Sequence, residues 1–295
     1  MLLDALRNLL HRRGAVAPIS PDAAEPPCLH DDAALADDDD PVWPSARISL
    51  AETLWGEGFL FPGGDQEVLR LAKPLGLSAA SSLLLVGAGT GGAPRRIATE
   101  FGVWVTGYET NHRLVELANE RNQRAGLGGR AQVERWDPGA PKFPRRYFHH
   151  GMVTDALRFA HPEPLLNAVA QALKPGGQLV LRETVSDRPL DPAEPLVCTW
   201  RRLDHRGAAV PSELAVTEVL RRFGFDVRIT EDVSQREMQN ATQGWRRAIT
   251  GWAGAHLSPR QAANVVREAE LWLARFRLMR AGRLRMVRWH AIAGG

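Results

Sequence analysis

Ser82-Leu83-Leu84-Leu85-Val86-Gly87-Ala88-Gly89-Thr90-Gly91-Gly92 is an apolar run that stops at glycines spaced G-x-G-x-G, with a helix-like segment, Arg95 to Phe101, behind it. Strand, tight turn and helix start in that order make a nucleotide-type cofactor site. Glycine tolerates positive φ and lets a ligand lie against bare backbone, while the helix that follows presents unpaired N–H groups. Glycine-rich turns also join strand to helix with no ligand at all, so the surrounding chain has to decide.

A chain of 295 residues with 44% hydrophobic content can bury a sizeable core. No apolar run approaches the roughly 18 to 20 residues a membrane span needs, so nothing is expected to cross a bilayer. Its two cysteines, Cys28 and Cys198, are far apart and lack a C-x-x-C partner, which suggests neither a disulfide framework nor a zinc site, and no metal is expected. A reducing cytoplasm is the expected compartment. The net charge is +3, and because Lys73, Lys142 and Lys174 are the only lysines, nearly all the positive charge is arginine. Guanidinium groups suit phosphate. These arginines are spread beside acids as on a solvated face, however, so no nucleic-acid partner is expected.

In chain order, residues 1–13 read as a short amphipathic helix with Leu2, Leu6, Leu9 and Leu10 on one side. It suits peripheral contact with a membrane surface or a partner protein, or equally a terminal helix capping the domain, and it lacks the cleavage site of a secretory signal. Residues 14–41, rich in Ala, Pro and Asp and ending in Asp37 to Asp40, read as a flexible tether. Order is expected from Val42 onward, first as a helix over Ile48 to Trp55, then as a glycine-punctuated loop, then as a helix from Asp65 to Leu75. After the glycine turn, strands are expected over Val103 to Tyr108, ending at Glu109, over Ala131 to Trp136, ending at Asp137, and over Tyr147 to Thr154, followed by Asp155. Helices His112 to Ala125 and Pro164 to Leu173 alternate with them. A Lys174-Pro175-Gly176-Gly177 turn leads into a fifth strand, Gln178 to Arg182. Repeated βαβ units imply an α/β doubly wound parallel sheet whose ligands sit at the carboxyl ends of the strands. A helix over Ser212 to Arg222, a strand over Phe225 to Val233, long helices over Gln235 to Ala255 and Pro259 to Ala281, and a last strand over Leu284 to Ala293 complete the chain. The long pair, residues 234–282, reads as a helical insertion or lid within a domain spanning 42–293.

An acid about 20 residues past the glycine turn, at the end of the next strand, is placed to bind a ribose diol, and Glu109 has that spacing from Gly89. Asp137 ends the third strand on the same edge and could accept an adenine amine. Either acid alone could be a strand-end cap. With the turn, they point to an adenosine cofactor.

The G-x-G-x-G spacing, the Lys-Pro-Gly-Gly turn and the terminal strand-helix-strand order resemble the class I S-adenosylmethionine (SAM)-dependent methyltransferases, in a Rossmann-like seven-stranded sheet whose last strand inserts antiparallel between five and six. A nicotinamide oxidoreductase fits the glycine spacing less well. Within that superfamily the chain resembles the phosphoethanolamine methyltransferases through Gly56-Glu57, Phe59, Gly63-Gly64, Leu117-Ala118-Asn119-Glu120-Arg121 and Met286-Val287-Arg288-Trp289. The resemblance implies cofactor contacts at Gly63, Gly87, Gly89, Gly91, Glu109, Asp137 and Asp155, with Asp155 holding the methionine end or the substrate amine near it. Where those enzymes carry a Tyr and a His as a latch, this chain carries Trp43 and Phe159. Leu85 replaces an acid two positions before the first glycine, Thr184 and Ala208 replace tyrosines of the phosphate cage, and Arg206 stands at a phosphate-binding position. A pocket bounded by Trp43, Trp55, Phe59 and Phe159 would suit an apolar or cationic acceptor. The function implied is methyl transfer from SAM to a small-molecule or lipid-like acceptor, with Asp155, Trp43 and Phe159 around the reacting atoms and Trp43, Phe59, Phe159 and Arg206 toward the acceptor. A second reading is a methyltransferase fold that has lost turnover and acts as a binding or assembly module. The oligomeric state stays open.

Overall fold

The protein was analysed as a computed structural model that describes residues 40, 42–252 and 257–294. The expected helix over residues 1–13 and nearly all of the expected tether lie outside the described residues, as does Cys28.

Among the described residues two helices precede the sheet, α1 (Ser45–Trp55) and α2 (Gly64–Ala72), and a 3-10 turn over Lys73–Leu75 extends the second. The alternating core runs β1 (Ser82–Val86), α3 (Gly92–Phe101), β2 (Trp104–Glu109), α4 (His112–Arg124), β3 (Ala131–Arg135), β4 (Phe148–Thr154), α5 (Pro162–Ala172) and β5 (Leu173–Val185). The remainder is α6 (Pro195–Leu203), α7 (Glu213–Arg222), β6 (Phe225–Asp232), α8 (Ser234–Gly251), α9 (Pro259–Arg280) and β7 (Arg285–Ala293).

Several of the helices begin where a side chain takes up an unpaired amide of the first turn. The Asn111 side chain accepts the Leu114 N–H at 3.1 Å ahead of α4, and Ser212 accepts Ala215 N–H at 3.1 Å ahead of α7. Ahead of α9, Ser258 and Gln261 form a reciprocal capping box with Pro259 at the first helical position.

The sheet has the strand order β3-β2-β1-β4-β5-β7-β6. β1 to β5 are parallel neighbours, and β7 runs antiparallel to both β5 and β6. Alternation along β1 divides the core: Leu83 and Leu85 join the cluster under α1 to α4, while Leu84 and Val86 join the one under α5 and α7. Burial on both faces is why this strand is a continuous apolar run rather than an alternating one.

Two expectations are corrected. Lys174 to Gly177 does not end in a free turn; β5 begins at Leu173, with a register shift opposite β4 between Phe148 and His150. Strand pairing along the edge overrides the local turn chemistry. The segment between β5 and α7, for which the sequence suggested no element, carries α6, whose Val197, Trp200 and Leu203 form a third cluster with Leu271 and Leu278 of α9. Among the described residues no helix is long and apolar enough to cross a membrane.

The long helices pack inward: α8 lies on α1, and α9 lies on α1 and α6. Both turn side chains toward the carboxyl ends of the central strands.

Candidate active site

A cavity opens where β1, β2 and β4 end, the point at which strand order departs in opposite directions from β1. The turn after β1 is held from below: the N–H groups of Gly87 and Ala88 both donate to the Tyr108 carbonyl, at 2.9 and 3.2 Å. Gly87 has φ +91°, and a side chain there would collide with the carbonyl oxygen of Thr154 on β4. Its bareness therefore serves the packing of two strands. At Gly89, with φ +54°, a Cβ would meet only Leu60, at 3.4 Å, and the backbone faces the cavity. That glycine leaves room for a ligand.

Glu109 closes β2 with a buried carboxylate: Oε2 accepts the Gly89 N–H at 2.9 Å, and Oε1 accepts the N–H groups of Thr110 at 2.8 Å and Asn111 at 3.2 Å. Its orientation is fixed before any ligand arrives. Asp155 follows β4 in the left-handed conformation, φ 52°, and its N–H donates to the Arg182 carbonyl of β5 at 3.0 Å. Asp155 Oδ1 is buried and without a hydrogen-bond partner among the described residues. A free glycine face, a preset carboxylate and an unpartnered buried oxygen along one edge fit the ribose and amino-acid ends of an adenosyl ligand.

The loop between α1 and α2 folds over this turn. The Gly92 N–H donates to the Gly58 carbonyl at 3.0 Å, and Glu52 accepts the Gly58 N–H at 3.0 Å while pairing with Arg121 of α4. Trp43 and Phe159 line the outer part of the cavity. The Arg47 guanidinium lies 4.6 Å from the Trp43 ring centre, and Arg158 lies 5.1 Å from that of Phe159.

Trp43, Gly87, Gly89, Glu109, Asp155 and Phe159 are thus brought together. The other expected residues stand outside the wall. Asp137 is exposed and accepts the Gly139 N–H at 2.8 Å, while its neighbour Trp136, which donates its N–H to the Glu109 carbonyl at 3.1 Å, lines the cavity. Gly63 and Gly91 are the residues ahead of α2 and α3. Phe59 turns into the core beside Phe61, and Trp55 packs on Trp272. Arg206 is fully buried behind Asp155, 3.5 Å from Asp155 Oδ1 and 3.2 Å from Asp204 Oδ2. Leu85 is fully buried in the apolar cluster and takes no part in the wall, so its side chain suits its surroundings.

Several wall residues escaped the sequence reading: Arg158, Arg182, Asp204, Glu237, Glu268 and Arg275. Glu237 of α8 pairs with Arg182 of β5 and lies 3.7 Å from Arg275 of α9, which donates to Thr184 Oγ1 at 3.0 Å. Glu268 accepts from Arg47 at 3.3 Å and from Trp272 Nε1 at 3.1 Å. Burial opposes the ionisation of Asp204, but Arg158 and Arg206 outweigh it and hold the carboxyl below its ordinary range. Of the aromatics expected to bound the pocket, Trp55 and Phe59 are consumed by core packing, while Trp43 and Phe159 line the cavity together with Phe61, Trp136 and Trp272 and the charged residues above.

Residues 83–177 match the family described as "Methyltransferase domain". A 27-O-demethylrifamycin SV methyltransferase of Amycolatopsis mediterranei is 30% identical over 251 residues, covering 79% of this chain and 88% of that protein. Phosphoethanolamine N-methyltransferase 2 of Caenorhabditis elegans is 29% identical over 136 residues, which is 45% of this chain but only 31% of that protein. Among solved structures, phosphoethanolamine N-methyltransferase 2 of Haemonchus contortus in complex with S-adenosyl-L-methionine superposes with a TM-score of 0.72 at 19% identity, covering 84% of this chain and 57% of that one. The last likeness is one of fold.

Proposed function

The chain belongs to the class I SAM-dependent methyltransferases, and from that premise we propose that it transfers a methyl group from SAM to a small-molecule or lipid-like acceptor bound in the cavity described above. The observation that supports this most is the convergence of Gly89, Glu109 and Asp155 on one end of a cavity whose other end is walled by Trp43, Phe159 and helices α8 and α9.

When bound there, SAM supplies a methyl carbon made electrophilic by its sulfonium. Glu109, preset by three backbone N–H groups, receives the ribose hydroxyls. Asp155 Oδ1, which has no hydrogen-bond partner among the described residues, receives the methionine amino group. Thr110, Leu114 and Trp136 flank the adenine. Trp43 and Phe159 exclude water from the outer end. The wall holds no His, Tyr, Lys or Cys among the described residues, so the residues act mainly by placing donor and acceptor, and alignment at about 3 Å can supply much of the rate. The transferase unit is assigned to residues 42–293, with 234–282 forming the acceptor-side wall.

The test is calorimetric titration of the purified protein with S-adenosylhomocysteine. Saturable one-to-one binding is expected; absence of binding up to millimolar concentration overturns the proposal.

A further inference from the structure

We infer that the acceptor is a carboxylate, bound by the guanidinium fork of Arg158 and methylated on oxygen without any proton being moved; this rests on the cavity being the methyl-transfer site. Arg158 is 7% exposed, lines the cavity and is held rigidly. Its carbonyl accepts the Ala208 N–H at 3.3 Å, and it ends a 3-10 turn, Ala156–Arg158, whose amides are bound by Glu183. Yet both Nε and Nη2, the two donors on one edge of the fork, have no hydrogen-bond partner among the described residues. Its nearest acids are no substitute: Asp155 and Asp204 each stand 3.8 Å from Nη1, beyond hydrogen-bond reach, and Asp204 is already hydrogen-bonded to Arg206. Two buried parallel N–H groups are the complement of a carboxylate's two oxygens, and leaving them unmet costs free energy.

The rest of the wall agrees. A neutral hydroxyl acceptor would need a base, and the carboxylates of the cavity are committed: Glu109 to backbone amides, Asp204 to Arg206, Glu237 to Arg182, Glu268 to Arg47 and Trp272, and Asp155, on the reading above, to the cofactor's amino group. A carboxylate so paired is a weak proton acceptor. A carboxylate acceptor instead arrives ionised. Its fork-bound oxygens keep free lone pairs, one of which attacks the methyl carbon; the C–S bond breaks with its electrons going to sulfur, and a methyl ester and neutral thioether result. Cation and anion neutralise each other in a site of low dielectric, which favours the step. Arg275, 6% exposed, with Nε unpartnered among the described residues, stands across the cavity for a second oxygen of a larger acceptor.

The experiment loads the full chain with S-adenosylhomocysteine and titrates it with acetate and benzoate, against their neutral counterparts acetamide and benzamide, and against benzylamine and phenyl phosphate. Acetate or benzoate is expected to bind, the amides and benzylamine at least tenfold more weakly. Arg158→Gln should lower carboxylate affinity about tenfold while S-adenosylhomocysteine affinity changes less than twofold. Arg158→Lys, which keeps the charge and loses the fork, should restore little. If the cofactor product does not bind, the methyltransferase site itself is misassigned. If it binds but neither carboxylate does, or the amides bind as well, or phenyl phosphate or benzylamine binds in preference, the carboxylate inference is overturned. If the Arg158 variants do not fold, the ligand series on the unaltered chain still decides.

Discussion

The carboxyl of Glu183, inside β5, accepts the N–H of Ala156 at 2.7 Å and so ties the central sheet to the turn that presents Asp155, Arg158 and Phe159. It also accepts the Leu157 N–H, at 3.2 Å. Burial, and then the charge of Asp155, push the Glu183 carboxyl up to about 8. The folded-state value thus lies above the unfolded one, so its contribution to stability is fully present below about pH 4.3 and is lost as pH rises through about 8. Glu183→Gln, which keeps the acceptor oxygen and cannot ionise, should melt at least about 2–4 °C higher than the parent at pH 9, with the gap closing at pH 5. Parallel melting curves across that range would show that Glu183 ionises freely in the fold.

The glycine turn separates two roles that its spacing alone merges. Gly87→Ala drives a methyl group into the Thr154 carbonyl and strains a φ of +91°, so the chain should lose roughly 2–4 kcal/mol in chemical denaturation. Gly89→Ala meets only Leu60 at 3.4 Å and keeps a left-handed φ of +54°. It should cost about 1 kcal/mol in stability but weaken S-adenosylhomocysteine binding tenfold or more. Equal losses of affinity and stability in both variants would dissolve the distinction.

Much of this was legible because strands, turns and helix starts are local signals. The run ending at Val86, the acid closing β2 and the residue after β4 fall at strand ends, and strand ends are where a parallel sheet places its ligands. Past the end of β3, Trp136 lines the cavity while Asp137 is exposed, a division between two neighbours that their sequence does not signal. Phe59 and Trp55 carried no local sign that α9 and the loop itself would bury them. Arg158, Glu237, Glu268 and Arg275 come from separate elements as far apart as the turn after β4 and the last long helix. Each reads as an ordinary surface charge on an amphipathic segment, and only the packing of α8 and α9 against α1 and α6 gathers them.

Trp43 is held over the cavity by its own entry segment. Asp40 Oδ1 accepts the N–H groups of Val42 at 2.9 Å and Trp43 at 2.7 Å, and Oδ2 bonds to the Asn111 side chain at the start of α4, beside Glu109. Trp43→Ala should raise the dissociation constant of S-adenosylhomocysteine about tenfold, with Trp43→Phe falling between. Asp40→Ala, which leaves the ring in place but frees its backbone, should reproduce part of the loss. Unchanged affinity in Trp43→Ala would show that the indole packs at the rim without closing the site.

The buried pair of Glu237 and Arg182 joins the helical wall to the sheet, and its energetics differ from those of a surface ion pair. Arg182 is 2% exposed and Glu237 3%, so desolvation consumes much of what their attraction supplies. The pair need not stabilise the fold relative to apolar residues of the same size, but breaking it should be costly. Glu237→Ala leaves Arg182 and Arg275 facing each other across an empty acceptor, and a loss of about 3–5 kcal/mol is expected. Arg182→Met combined with Glu237→Leu removes both charges and should recover most of that loss. Arg275 then keeps its hydrogen bond to Thr184 Oγ1, so S-adenosylhomocysteine affinity should change less than the stability does. Denaturant midpoints at constant slope give the stability, and calorimetric titration gives the affinity. A double variant as unstable as Glu237→Ala would mean that the pair is retained for stability itself, rather than for holding α8 and α9 in register over the site.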